Sequence, residues 1–284
     1  MRRSAGLSPP LGRAHPYNPL VIVSNSGHAA YGNTHAIQRA GITKETLSPV
    51  AGEIVHDADG NLTGAFLEVA AVTLLVVPVM ADTSPEVMFG HVVRYLNELA
   101  AVGITSISDQ AYDPKTAPLY QARFARQISS MRVRAHESGG AGSTLSQPTH
   151  SGDDFFRLIG VKYWADGSPW QGNIAVSVPY LNTPVTLEKM GLPRDYHGGM
   201  NYTKEQIAAQ VAHYVPQGYQ FLIHAHGDLT LDVVLDVYET QLQATPRPDY
   251  RLRLKHCGCM TDAQFARAAR LGVTTSLFMA HVYY

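Results

Sequence analysis

Only two cysteines occur in the 284 residues, Cys257 and Cys259, with a single residue between them. That spacing is not a zinc-binding CxxC and is poor for a disulfide, so a disulfide scaffold is excluded and a reducing compartment is expected. Long hydrophobic runs are missing too. The longest, from Val69 to Met80, is interrupted by Thr73 and Pro78 and is too short to span a bilayer. No apolar signal-peptide core follows Met1-Arg2-Arg3-Ser4. Charge of one sign is absent: 22 basic and 23 acidic residues give a formal net charge of -1, which offers no electrostatic footprint for nucleic acid or a membrane. Neither GxGxxG nor GxxxxGK[ST] appears, so a nucleotide cofactor has no support, and no GxSxG elbow supports a serine hydrolase. These absences lead to the expectation of a cytoplasmic protein whose partner is a small molecule.

What is present is a chain 45% hydrophobic and 16% charged, long enough for one large α/β barrel or two smaller domains. Residues 1–20, with Pro9, Pro10, Pro16 and Pro19, read as an irregular lead-in. Residues 21–82 read as an α+β region. It has a short buried strand at Val21–Ser24, a short helix from Thr34 stopping at Gly41, and a hairpin about the turn Asp57–Asn61. From residue 83 the rhythm becomes strand–helix. Ser84 caps a helix with Met88, Val92, Val93, Leu96 and Leu99 on one face. Strands are expected at Ile104–Asp109, Met131–His136, Ile159–Trp164, Phe221–His224, Leu252–His256 and Val273–Met279. Helices are expected at Ala117–Gln127, 204–215 and Leu229–Gln243, and a capping box, Thr261 with Gln264, opens another. An insertion separates the third strand from the helix capped by Thr203. Six strands alternating with helices argue for parallel pairing by βαβ crossovers.

Three of these strands deliver metal-capable side chains near their ends: Lys162, His224 and His256. A lone strand-end histidine most often bonds a loop. Here His224 and His256 fall 32 residues apart, one βα unit, and in a barrel that puts them on neighbouring strands at one level. Lys162 lies in the apolar run Ile159–Trp164, where a lysine is costly unless paired or neutral. Burial lowers an amine's pKa, and a neutral amine can take up carbon dioxide as a metal-bridging carbamate. Asp166-Gly167-Ser168 reads as a turn that could line an active face. Asp109 and Asp228 are each readable as caps or as site carboxylates, and His226 alternates with His224. Ser26-Gly27-His28 with Asn33 is either a turn or a loop entering a site.

These residues resemble, in order, the amidohydrolase family 3 group of N-substituted formamide deformylase-like metal-dependent hydrolases. The resemblance runs through Ser26-Gly27-His28, Gly52-Glu53-Ile54, Thr63-Gly64, Gly103-Ile104-Thr105, Lys162 with Asp166-Gly167-Ser168, His224 to Asp228, Arg253 to His256 and Leu271-Gly272-Val273. It implies a distorted TIM-type β/α barrel with an added α+β insertion, and hydrolysis of C–N bonds that are not peptide bonds. It assigns Lys162, His224 and His256 to one or two divalent ions, most often zinc. It places His28 at the substrate pocket, and Asp166 joins it as a substrate-binding candidate. The family's His-x-His pair on the first strand and its catalytic Asp on the eighth have no counterpart here. The expectation is therefore a fragment covering strands two to seven over residues 83–284, with no catalytic residue assigned and impaired activity alone. Open sheet edges would favour a homo-oligomer. The alternative is a non-catalytic, small-molecule-binding protein on the same scaffold.

Overall fold

The computed structural model describes residues 17–117, 120, 131–139, 145–246 and 249–278. The chain divides into two compact units. The first joins the described residues up to Asp82 with Asp166–Tyr202 and His226–Thr230, and the second takes Thr83–Ala165, Thr203–Ala225 and the described residues from Leu231 onward. The insertion after the third barrel strand thus groups with the α+β region.

The first unit is built on a four-stranded antiparallel sheet. Its strands are β1 (Val21–Val23), β2 (Ala29–Gly32), β3 (Glu53–His56) and β4 (Leu62–Leu67), in the order β1-β2-β4-β3. The β3–β4 hairpin forms where Asp57 accepts backbone N–H bonds from Asp59 and Asn61, closing the expected turn. Helix α1 (Thr34–Arg39) starts because the Asn33 side chain accepts the Ala36 N–H, and it stops before Gly41. The apolar run Val69–Met80 is a helix, α2 (Glu68–Met80). It buries Ala71, Val72 and Leu75 against Ala30, Ile37, Ile54 and Phe66, a core in which each large aliphatic side chain contributes about 1.5–3 kcal/mol. The expectation of a buried strand at Val21–Ser24 needs correction. The strand forms, but Ile22 is 48% exposed, because β1 is an edge strand paired only to β2.

The second unit carries six strands: β5 (Ser106–Tyr112), β6 (Arg132–Ser138), β7 (Phe156–Trp164), β8 (Gln220–Ala225), β9 (Arg253–His256) and β10 (Thr274–Leu277). Every neighbouring pair is parallel and the strands lie in sequence order. A doubly wound sheet would reverse direction at a switch point, whereas this order is that of a β/α barrel, here a partial one. The intervening helices are α3 (Pro85–Ala101), α4 (Lys204–Tyr214), α5 (Asp228–Ala244, whose first three residues group with the first unit) and α6 (Asp262–Arg270). The expected capping box forms at Thr261 with Gln264, and a second is found at Thr203 with Gln206. The expected helix Ala117–Gln127 falls almost wholly outside the described residues, as does the end of the last expected strand.

Strand alternation sorts the second sheet into two faces. Tyr163 and Phe221 pack with Tyr214 of α4 and Tyr238 of α5, ring against ring. Tyr238 also sends its hydroxyl to the Phe221 and Arg253 carbonyls, satisfying the one polar atom it buries. The opposite face carries the polar residues. Register pairs Lys162 with Leu222, Trp164 with His224, and His224 with Lys255. With side chains alternating every residue, Lys162, Trp164, His224 and Lys255 therefore share that face.

Candidate metal centre and buried His–Glu pair

In the second unit, His224 is held by the last turn of β8, and its carbonyl accepts the Ala165 N–H at 2.9 Å. His256 ends β9 with a φ of +75°, followed by Cys257 at +55°. Two successive left-handed residues other than glycine are uncommon and mark a sharp exit from the strand. By register His256 lies opposite Ala225, one step beyond His224, so the two histidines are not level as the spacing predicts. The turned backbone compensates. The imidazole rings approach to 4.5 Å between centroids at 66°, and their nitrogens include a pair within 4.8 Å. The His256 ring meets Phe278 edge-on at 5.7 Å on its other side.

Lys162 is 3% exposed. Its ammonium lies 5.0 Å from the centre of the Trp164 ring, and no carboxylate pairs with it among the described residues. Burial, reinforced by the like charge of Lys255, brings its amine down to about 7. His136, which sequence inspection passed over, is buried on the same sheet. Burial, with Arg253, Lys162 and Lys255 adding to it, lowers its ring to about 3.

In the first unit, His28 and Asp166 are both buried. The Asp166 carboxylate accepts the backbone N–H groups of His226 at 3.0 Å and Gly227 at 2.8 Å. Burial nevertheless dominates and pushes its carboxyl up to about 8. Gly227 is required at this turn, because a Cβ there would overlap the Ala175 carbonyl. His28 meets a carboxylate the sequence did not single out: its Nδ1 lies 2.7 Å from Glu68 Oε2. Glu68 joins β4 to α2 with a φ of +66°, a conformation that costs an L-residue about 1–2 kcal/mol. Its other oxygen accepts from Asn173 Nδ2. A signal for Glu68 was present, since it is a single carboxylate between the apolar runs Ala65–Leu67 and Val69–Val72 and must find partners if buried.

Asp109 and Asp228 each have local hydrogen-bond partners. Asp109 accepts from the Tyr120 hydroxyl at 2.6 Å, and Asp228 receives the backbone N–H and hydroxyl of Ser177. Among the described residues, no helix is long and apolar enough to cross a membrane.

A family model described as the amidohydrolase family matches residues 11–284. The chain is 28% identical over 276 residues to the N-substituted formamide deformylase of Arthrobacter pascens, covering 91% of this chain and 47% of that protein. It is 27% identical over 292 residues to protein LONG AFTER FAR-RED 3 of Arabidopsis thaliana, covering 94% and 46%. Among solved structures, an uncharacterized metal-dependent hydrolase from Pyrococcus horikoshii superposes with a TM-score of 0.64 at 21% identity, covering 91% of this chain and 48% of that one. The counterpart from Pyrococcus furiosus gives 0.64 at 20%, covering 91% and 50%. The chain thus spans about half the length of the relatives it matches. With its full described barrel inside the matched stretch, the chain belongs to the amidohydrolase family.

Proposed function

We propose that this chain contributes to hydrolysis of a C–N bond other than a peptide bond, in a small amide- or formamide-like molecule. The carrying observation is the pair of strand-end imidazoles, His224 and His256, with ring nitrogens within 4.8 Å. Zinc binds imidazole nitrogen at about 2.0–2.1 Å, so small ring rotations would let both reach one ion. Lys162, His224 and His256 are the residues proposed to hold it. When bound, such an ion supplies a water acidified toward neutrality and polarises the carbonyl under attack.

The chain's own residues prepare that chemistry. His224 is buried, which keeps its ring from bulk water, and His256 is half-buried beside it. The Lys162 amine, brought toward neutrality by burial, can attack carbon dioxide. The new N–C bond forms as one C=O π bond of carbon dioxide gives its electron pair to oxygen, and loss of one N–H proton turns the neutral amine into an anionic carbamate ligand. His28 is proposed to contact the substrate, and Asp166 to act beside it by fixing the His226–Gly227 backbone. The formamide preference draws on the name of the Arthrobacter pascens relative. A cytoplasmic location and self-association belong to the same reading.

The test is metal analysis of the purified protein with zinc, alongside the Lys162→Ala, His224→Ala and His256→Ala variants. Bound zinc that falls in each variant supports the reading. Zinc absent from the wild type, or unchanged in all three, overturns it.

A further inference from the structure

We propose that Glu68 is a positioning residue, holding the His28 ring in one orientation and one tautomer for substrate binding. The inference rests on the role just given to His28, and its residues all belong to the first unit. Glu68 and His28 are bonded twice. The Glu68 backbone N–H donates to the His28 carbonyl at 2.8 Å, and the His28 Nδ1 meets Glu68 Oε2 at 2.7 Å. With a carboxylate that only accepts, the proposed tautomer has Nδ1 as the donor and the ring lone pair on Nε2. The backbone bond fixes where the ring starts, and the side-chain bond fixes how it turns.

Three further features hold the carboxylate itself in place. Asn173 Nδ2 donates to Oε1, the oxygen that His28 does not use. The Gly167 N–H donates to the Asn173 carbonyl at 2.8 Å, tying that segment down. A Cβ at Gly167 would overlap Oε1, so glycine is what leaves room for the carboxylate. Glu68 also reaches a polar cavity of about 310 Å³, which it lines with Glu53, Asn173, Tyr196, Met200 and Asn201. A left-handed glutamate is a poor choice for joining a strand to a helix, and glycine would do it without strain. The side chain, not the backbone, explains why glutamate stands here.

The experiment compares wild type, E68Q and E68G by long-range proton–nitrogen NMR of the histidine rings above neutral pH, with H28Q identifying the His28 signals. The wild type is expected to show a single Nδ1–H tautomer at His28. Both Glu68 variants are expected to lose it and populate Nε2–H. With N-butylformamide as probe, E68Q is expected to raise KM about tenfold while kcat stays within about twofold, the pattern of lost ground-state binding. E68G relieves the backbone and decides the matter if E68Q does not fold. A His28 tautomer unchanged in a folded variant overturns the proposal. So does a fall in kcat at constant KM, or failure of both variants to fold, which would make Glu68 a requirement of the fold alone. If the tautomer changes as expected but the wild type turns over no formamide, the positioning role stands and the hydrolase reading fails separately.

Discussion

The His224 and His256 rings meet at 4.5 Å although register sets their backbones one residue apart. Two side chains that share one ion lose binding together, because removing either leaves the other an incomplete ligand set. His224→Gln and His256→Gln are each expected to weaken zinc affinity at least about tenfold. The double variant should fall short of the sum by at least about 1 kcal/mol, well above the scatter of independent sites. Competition against a chromophoric chelator measures all four affinities. Additive losses would mean that the rings do not serve one ion.

Asp166 makes a pH prediction of definite sign. Its carboxyl titrates at about 8 in the folded chain against an ordinary value of 3.8, so the folded state holds the proton more tightly. Its contribution to stability is full below pH 3.8 and is lost as pH rises to about 8. The slope is at most about 1.4 kcal/mol per pH unit. His136 and Lys162 are shifted downward and act in the opposite sense, so the informative quantity is wild type minus Asp166→Asn. Urea unfolding across this range should show wild type losing ground steadily to D166N. A difference that does not change with pH would place the wild-type carboxyl in its ordinary range.

Much of this was readable from residue pattern. Ser84, Thr203 and Thr261 with Gln264 announce helix starts by short-range hydrogen bonding, and all three caps form. Six strands in alternation with helices gave the partial barrel, because parallel neighbours need crossovers. What sequence could not supply was register and backbone hand. Level placement of His224 and His256 assumed regular strands, and the left-handed turn at His256 is not written in any local motif. Glu68 escaped notice for the same reason: its partners His28 and Asn173 lie 40 and 105 residues away, beyond any periodicity.

Gly167 offers a steric test of the first unit. Alanine there would drive its Cβ into Glu68 Oε1, and the carboxylate cannot retreat without giving up Asn173 or His28. Overpacking of this kind costs about 1–3 kcal/mol. Gly167→Ala should lower the urea midpoint accordingly, and adding Glu68→Gly should recover part of the loss by vacating the space. No recovery in the double variant would locate the clash elsewhere.

Lys162 sets function against stability. A buried amine with no carboxylate partner among the described residues destabilises the fold, while methionine fills a similar volume without desolvation cost. Lys162→Met should therefore raise the chain's unfolding free energy by about 1 kcal/mol or more, as replacement of buried charge by apolar groups commonly does. The same variant should lose zinc affinity, because a thioether cannot take the place of an amine or its carbamate as a hard anionic ligand. Chemical denaturation and zinc titration on one preparation read both effects. A less stable K162M would show that the amine is satisfied in the fold. An unchanged zinc affinity would remove Lys162 from the metal site and leave its burial over Trp164 as a packing role.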